Sequence, residues 1–210
     1  MNGWSYQRKP FYDFIKRCFD FFLSFILLIT LSWFILLVAI LVWSTSKGPT
    51  FYCHERIGKN GKPFKLIKFR TMKQDARSIK EQLTPEQYVE YLKDFKLVDD
   101  PRITKFGKIL RKTSIDEIPQ LINILVGHMS FIGPRPLIQE ETLRFGEYRE
   151  MLLKVKPGLT GQWAVNGRNS TTYKKRMELE LYYVTHRNLG LDTAIFLKTI
   201  IVVFRTEDAA

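Results

Sequence analysis

The chain has 210 residues, with 33 Lys and Arg against 21 Asp and Glu, a formal net charge of +12. That length suits one domain of ordinary size, and the charge favours anionic partners such as nucleic acid, acidic headgroups or phosphorylated small molecules. Two cysteines, Cys18 and Cys53, form no CxxC pair, and His54, His128 and His186 are scattered, which excludes a disulfide framework, a zinc ribbon and a histidine metal site.

Residues 1–20 read as a short basic amphipathic helix. Phe11, Phe14, Ile15 and Cys18 share one face, with Lys16 and Arg17 off it, a pattern suited to a membrane surface. The clearest feature follows, FFLSFILLITLSWFILLVAILVWSTS, uncharged between Asp20 and Lys47. Its transfer into lipid is favourable by roughly −5 to −9 kcal/mol, and it exceeds the about 20 apolar residues that a span requires. A soluble core helix is disfavoured because the run has no solvent face. A cleaved signal peptide is disfavoured by the long polar lead-in and the lack of an A-x-A site. Both flanks are basic, so charge asymmetry does not orient it. A tilted single span and a re-entrant hairpin both fit. Ser32 lies near the middle without Gly or Pro, which puts the single span slightly ahead on the residues alone.

The run TFYCHERIGKNGKPFKLIKFRTM reads as a β-hairpin turning at Asn60–Gly61. Residues 74–97 read as a polar helix, DDPRIT as a loop and KFGKILRK as a short basic amphipathic helix. A helix over 115–126 follows, then the Gly/Pro-rich loop GHMSFIGPRP, a helix over 138–155 and a second Gly-rich loop, KPGLTGQWAVNGRN. Helices over 171–186 and 191–204 complete the chain, the last apolar but too short to span. The expected division is 1–46 for the lead-in and membrane helix and 47–210 for a catalytic domain.

Chemistry concentrates in TSIDEIPQ. Ser114 and Glu117 match the capping box S/T-x-x-E ahead of the apolar positions Ile118, Leu121, Ile122 and Leu125, and composition alone favours that reading. Pro119 is awkward for it, because it removes a backbone donor inside the first turns. The alternative uses the same turn for catalysis. A carboxylate at a helix start near arginines is expected to stay ionised and can attack phosphorus, while its neighbour holds Mg²⁺. Lys68 and Arg70 in KFRTM, Arg111 in ILRKTS, Arg135 in IGPRP and Arg168 in NGRN are the cations that would neutralise phosphates there.

Taken together, KFRTM, DDPRITKFGKILRKTSIDEIPQLINILVGHMSFIGPRP and KPGLTGQWAVNGRN resemble the bacterial sugar transferase family, the small monotopic phosphoglycosyl transferases. The resemblance runs from the membrane segment to the last helix. It implies a mostly α, membrane-anchored monotopic α+β domain with a small β-hairpin, a re-entrant N-terminal helix and interfacial amphipathic helices. It implies transfer of sugar-1-phosphate from a UDP-sugar to polyprenyl (undecaprenyl) phosphate with release of UMP, at the cytoplasmic face of the bacterial inner membrane, initiating glycan assembly. In that reading Asp116 is the nucleophile that forms an aspartyl-phosphosugar, and Glu117 supports Mg²⁺ and acid–base work. Arg111 lies near the lipid phosphate, and Arg135 and Arg168 bind donor phosphates. The lipid bilayer is a partner, and a homodimer is left open. Two positions depart from the family's pattern: Ser32-Trp33 replaces Ser-Pro at the membrane break, and His128 stands where Asp or Asn is usual. A membrane-tethered binder of nucleic acid is the alternative. No aromatic residues interleave with Lys and Arg in a recognisable RNA-binding motif, so nucleic acid is not the expected partner. A non-catalytic assembly protein is argued against by the intact acidic pair. The sugar and the destination glycan are not written in these motifs.

Overall fold

The computed structural model describes residues 4–46, 48–73, 81, 83–94, 97, 100–167 and 171–204. The chain begins with α1 (Pro10–Thr30) and α2 (Ser32–Ser46), followed by the antiparallel strands β1 (Phe51–Ile57) and β2 (Pro63–Phe69). α3 (Pro85–Asp94) and α4 (Lys105–Lys112) lead to a 3₁₀ turn at Ile115–Glu117 and to α5 (Gln120–Val126). β3 (Ser130–Ile132), α6 (Gln139–Leu143), α7 (Arg149–Leu152), β4 (Gly158–Thr160), α8 (Tyr173–His186) and α9 (Leu189–Phe204) complete the order.

The lead-in and the apolar run are not separate elements: α1 continues unbroken from Pro10, a residue suited to the first helical position because its missing N–H has no partner there anyway. The helix is inverted relative to a soluble one. Asp20 and Ser24 are buried against the domain, while Phe11, Phe14, Phe22 and Phe25 face outward, Phe11 at 77% exposure. Asp20 accepts hydrogen bonds from the Phe131 N–H (3.0 Å) and the Ser130 hydroxyl (3.1 Å). Arg17 donates to the carbonyls of Ile124 and Leu125 in the last turn of α5, where helix carbonyls are short of donors.

α1 and α2 meet at a 64° bend, and no single helix among the described residues is long and apolar enough to cross a membrane. The bend needs no proline. Thr30 and Ser32 donate their hydroxyls back to Ile26 O (3.0 Å) and Ile29 O (2.8 Å), a competition with the helix ladder that bends helices. α2 buries one stripe, Val38 and Val42, against Phe69 of β2 and Leu110 of α4.

The hairpin forms as its pattern requires, pairing Phe51 with Phe69 and Ile57 with Pro63. Asn60 and Gly61 take the positive φ angles of its turn, 59° and 75°. α4, α8 and α9 fall where the sequence placed them. Of the polar helix expected over 74–97, Pro85–Asp94 is helical, and residues 74–80 lie outside the described residues. The helix expected over 138–155 is broken into α6, a 3₁₀ turn at Gly146–Tyr148 and α7, with Gly146 at φ 53° dividing them.

A second strand pair was not legible. β3 and β4 run parallel, with Ser130 opposite Gly158 and Ile132 opposite Thr160. They draw the two Gly-rich loops into one place. The approach is backbone to backbone: a Cβ on Gly158 would lie 2.1 Å from Gly133 N, and one on Gly161 2.1 Å from Gly133 O. The main core joins both pairs, with Leu66, Leu121, Ile124, Met129, Phe131 and Tyr183 in one buried cluster.

Candidate functional site

The acidic pair sits where α4 gives way to α5. Ser114 is in the left-handed region (φ 55°, ψ 16°), uncommon outside glycine, and it turns the chain sharply out of α4. The single helix expected over 115–126 is therefore a 3₁₀ turn followed by α5, and the ladder restarts because Pro119, the N-cap of α5, has no N–H to continue it. The capping box does not form. The Ser114 side chain makes no cap hydrogen bond, and Glu117 instead accepts from Lys68 Nζ at 2.5 Å.

Two side chains fix the turn against the hairpin. Asn123 of α5 reads the free edge of β2, accepting from Ile67 N (3.0 Å) and donating to Lys65 O (2.8 Å). That clamp sets Lys68 opposite the pair, 3.8 Å from Asp116 Oδ2. On the other side, α4 presses on residue 71 so closely that a Cβ on Gly107 would meet Thr71 O at 2.1 Å. Thr71 accepts from Arg111 Nε (2.9 Å), and Arg111 adds its charge near Asp116.

Asp116 is 7% exposed. Burial pushes its carboxyl up to about 6. Lys68 opposes the rise, Glu117 adds to it and Arg111 opposes it again. The nearby cations do not set its value, because desolvation outweighs them. At pH 7 the group is still chiefly ionised, and it is less stabilised by its surroundings than a surface aspartate. A poorly solvated carboxylate is the more reactive nucleophile.

A cleft opens beside the pair. Lys68, Glu117, Gln120, Arg135, Trp163 and Glu180 line it together with residues of the β3–β4 loops, and Asp116 lies next to it without lining it. Of the expected cations, Lys68 and Arg135 line this cleft; Arg70 and Arg111 do not. Arg70 directly follows β2, its N–H bonded to Thr50 O. Arg168 lies outside the described residues. His128 is exposed, packs on the Phe64 ring and stands apart from the cleft.

Several charged residues behind Arg135 were not anticipated. Glu141 bridges Arg56 NH1 (3.4 Å) and Arg176 NH1 (3.5 Å). Glu180 Oε1 accepts from the Arg135 N–H at 3.1 Å. The guanidiniums of Arg176 and Arg135 sit 4.7 and 5.4 Å from the Trp163 ring. Burial, then repulsion from Arg135, lowers both Arg56, to about 10, and Arg176. One signal could have found this cluster. In YKKRMELELYYVTH, Met177, Leu181 and Val184 mark the core stripe of α8, and Glu180 falls inside it.

Comparison with known proteins agrees with the motif reading. The sequence profile described as bacterial sugar transferase matches residues 11–206. The chain is 42% identical over 195 residues to the exopolysaccharide production protein ExoY of Sinorhizobium fredii, covering 91% of this chain and 86% of that one. It is 41% identical over 202 residues to the undecaprenyl-phosphate galactose phosphotransferase of Salmonella typhimurium. It is 36% identical over 205 residues to the UDP-glucose:undecaprenyl-phosphate glucose-1-phosphate transferase of Klebsiella pneumoniae. These two matches cover 93% and 92% of this chain, and 42% and 41% of the longer relatives. With nearly its whole length matched, the chain belongs to the bacterial sugar transferase family.

Proposed function

We propose that the protein transfers sugar-1-phosphate from a UDP-sugar to polyprenyl phosphate and releases UMP. The observation that carries this reading is Asp116, a buried carboxylate facing Lys68 and Arg111 beside a cleft that Lys68 and Arg135 line. One Asp116 oxygen attacks the phosphorus that bears the sugar. The bond from that phosphorus to the bridging oxygen breaks, and UMP leaves with the electron pair. A phosphate oxygen of the polyprenyl acceptor then attacks the same phosphorus and frees the Asp116 carboxylate. Lys68, Arg111 and Arg135 offset charge on the phosphates during both steps, and Arg70 and Arg168 are placed in the same role by the motif.

The donor set fits a magnesium ion. Asp116 and Glu117 supply two hard oxygen ligands from one turn, and no group of three His, Cys, Asp or Glu gathers among the described residues. That suits an ion that completes its shell with substrate phosphates and water. When bound, it would neutralise charge on the pyrophosphate.

The outward apolar face of α1 and the bend at Leu31 support a bilayer as the solvent of this pair, entered and left on one side; that this side is the cytoplasmic one is part of the proposal. Membrane-impermeant labelling of cysteines introduced at Tyr6 and Gly48 should mark both from one side, and labels on opposite sides would refute the re-entrant arrangement.

Purified protein with undecaprenyl phosphate and a panel of UDP-glucose, UDP-galactose and their N-acetylated analogues should release UMP from at least one donor. EDTA and Asp116→Asn should each stop it. With donor alone, the intact protein should gain the mass of one sugar phosphate, and Asp116→Asn should not. Normal turnover in that variant would sink the nucleophile assignment.

A further inference from the structure

Among the buried side chains of the described residues, four of the five unpartnered polar atoms lie in one cluster, the fifth being Arg187 Nε beside Asp13. Arg56 Nε, Arg176 Nε and NH2, and Glu180 Oε2 have no hydrogen-bond partner among those residues. Native proteins satisfy nearly all buried polar atoms, and each one left open is costly. Four such atoms in one place, two of their three residues lining the cleft, mark a surface waiting for a partner. The charges define the partner. Arg56, Arg135 and Arg176 outnumber Glu141 and Glu180, so the surplus is positive and suits an anion. Glu180 defines it further. Its Oε1 is committed to the Arg135 N–H, and its Oε2 has no partner; burial raises the carboxyl to about 7, and a bound O–H or N–H favours the ionised form, whose Oε2 accepts. A bare phosphate fills the arginines but not Glu180. A phosphate joined to a hydroxylated sugar or to a base with an imide N–H fills both.

We infer that Glu180 is a donor-specificity residue. Its Oε2 accepts a hydrogen bond from a hydroxyl of the sugar or from the uracil imide of the nucleotide sugar, while Arg56 and Arg176 take phosphate oxygens beside it. The inference rests on the transferase reading above and names a residue that the motifs do not. Glu180 is 2% exposed, so a group that reaches Oε2 leaves water behind. A site with a buried acceptor then rejects an analogue that lacks the donor.

The test separates reading from scaffolding. In Glu180→Gln the amide oxygen keeps the Arg135 N–H, but an NH₂ replaces the acceptor in the cleft. A reader predicts a donor KM raised about ten- to a hundredfold, kcat within about threefold, and unchanged melting. A residue that only ties the Arg135 loop predicts full rescue by Gln and a loss only in Glu180→Ala. Calorimetric titration with UMP locates the contact: an unchanged UMP affinity puts it on the sugar, and a fall parallel to that of UDP-glucose or UDP-galactose puts it on the uridine. A donor KM within about twofold of wild type in Glu180→Gln, or a loss confined to kcat, overturns the inference. A wild-type protein that releases no UMP from any UDP-sugar overturns the transferase reading itself, and this inference with it.

Discussion

Two buried polar regions lie on either side of α8, and they differ in one respect. At the junction of α1, α8 and α9, Asp192 takes Tyr12 OH (2.8 Å) and Lys16 Nζ (2.7 Å) on one oxygen and Tyr183 OH (2.8 Å) on the other. Arg187, 2% exposed, donates to Val184 O and Gln7 O, and its Nε lies 3.8 Å from Asp13. Both Asp192 oxygens are satisfied, one atom of this network (Arg187 Nε) lacks a hydrogen bond, and the network fastens α1 to the domain. The cluster behind the cleft is also built of charged side chains but leaves four polar atoms open against one. A closed buried network contributes stability and specifies one arrangement, whereas an open one costs stability until something binds. The first is scaffold, and the second is shaped for a ligand.

The largest expected effect lies at the acidic pair itself. Asp116→Asn should lower UMP release by more than about a thousandfold, with donor binding retained in calorimetry. Next, Asp192→Asn should strike the closed network. It leaves Lys16 unpaired, and loss of one partner of a buried pair costs about 3–5 kcal/mol, read as a melting temperature lower by several degrees with donor KM unchanged. Arg176→Met should do the reverse. It removes a poorly compensated buried charge, so melting should hold or rise, while donor KM climbs about tenfold or more. A destabilisation equal to that of Asp192→Asn would break the distinction between the two regions.

The pH dependence sharpens it at the nucleophile. Burial raises the Asp116 carboxyl to about 6 in the folded protein, so kcat/KM should fall about tenfold per unit below that value and level off above about 7. Stability carries the opposite sign. A carboxyl whose folded value is raised penalises the fold as pH rises from the ordinary range through about 6. Asp116→Asn should therefore melt higher than wild type at pH 7, by an amount worth on the order of 2–3 kcal/mol, and match it near pH 4. The smallest effect is Tyr183→Phe, which removes the single hydroxyl proton shared between Asp192 Oδ1 (2.8 Å) and Ile132 O (3.2 Å). It should cost about 1–2 kcal/mol in chemical denaturation.

Local pattern carried much of the fold. The uncharged run, the Asn60–Gly61 hairpin and the terminal helices each follow from nearest-neighbour physics, which is written in a few consecutive residues. The acidic pair and its cations were legible as a motif, and Lys68, Asp116 and Glu117 do meet. The misreadings share a cause. Ser114 and Glu117 have the spacing of a cap, but the clamp of Asn123 on β2 brings Lys68 to Glu117, and a charged partner outcompetes a local backbone N–H. Without Gly or Pro the residues alone put an unbroken span slightly ahead, yet the run bends between α1 and α2, where two hydroxyls bond back to the helix carbonyls.

The sequence by itself determined that this chain has an apolar N-terminal segment, a hairpin, an acidic pair among arginines and two Gly-rich loops, because spacing and composition are local quantities. Only the tertiary structure decided which of these meet. The parallel pairing of β3 with β4 spans more than twenty-five residues of chain, and it sets Arg135 beside Glu180 on α8. Burial, a property of the whole packing, then lifts Asp116 and leaves the Arg56–Arg176–Glu180 cluster with unfilled hydrogen bonds. Neither effect is written in any short stretch of residues.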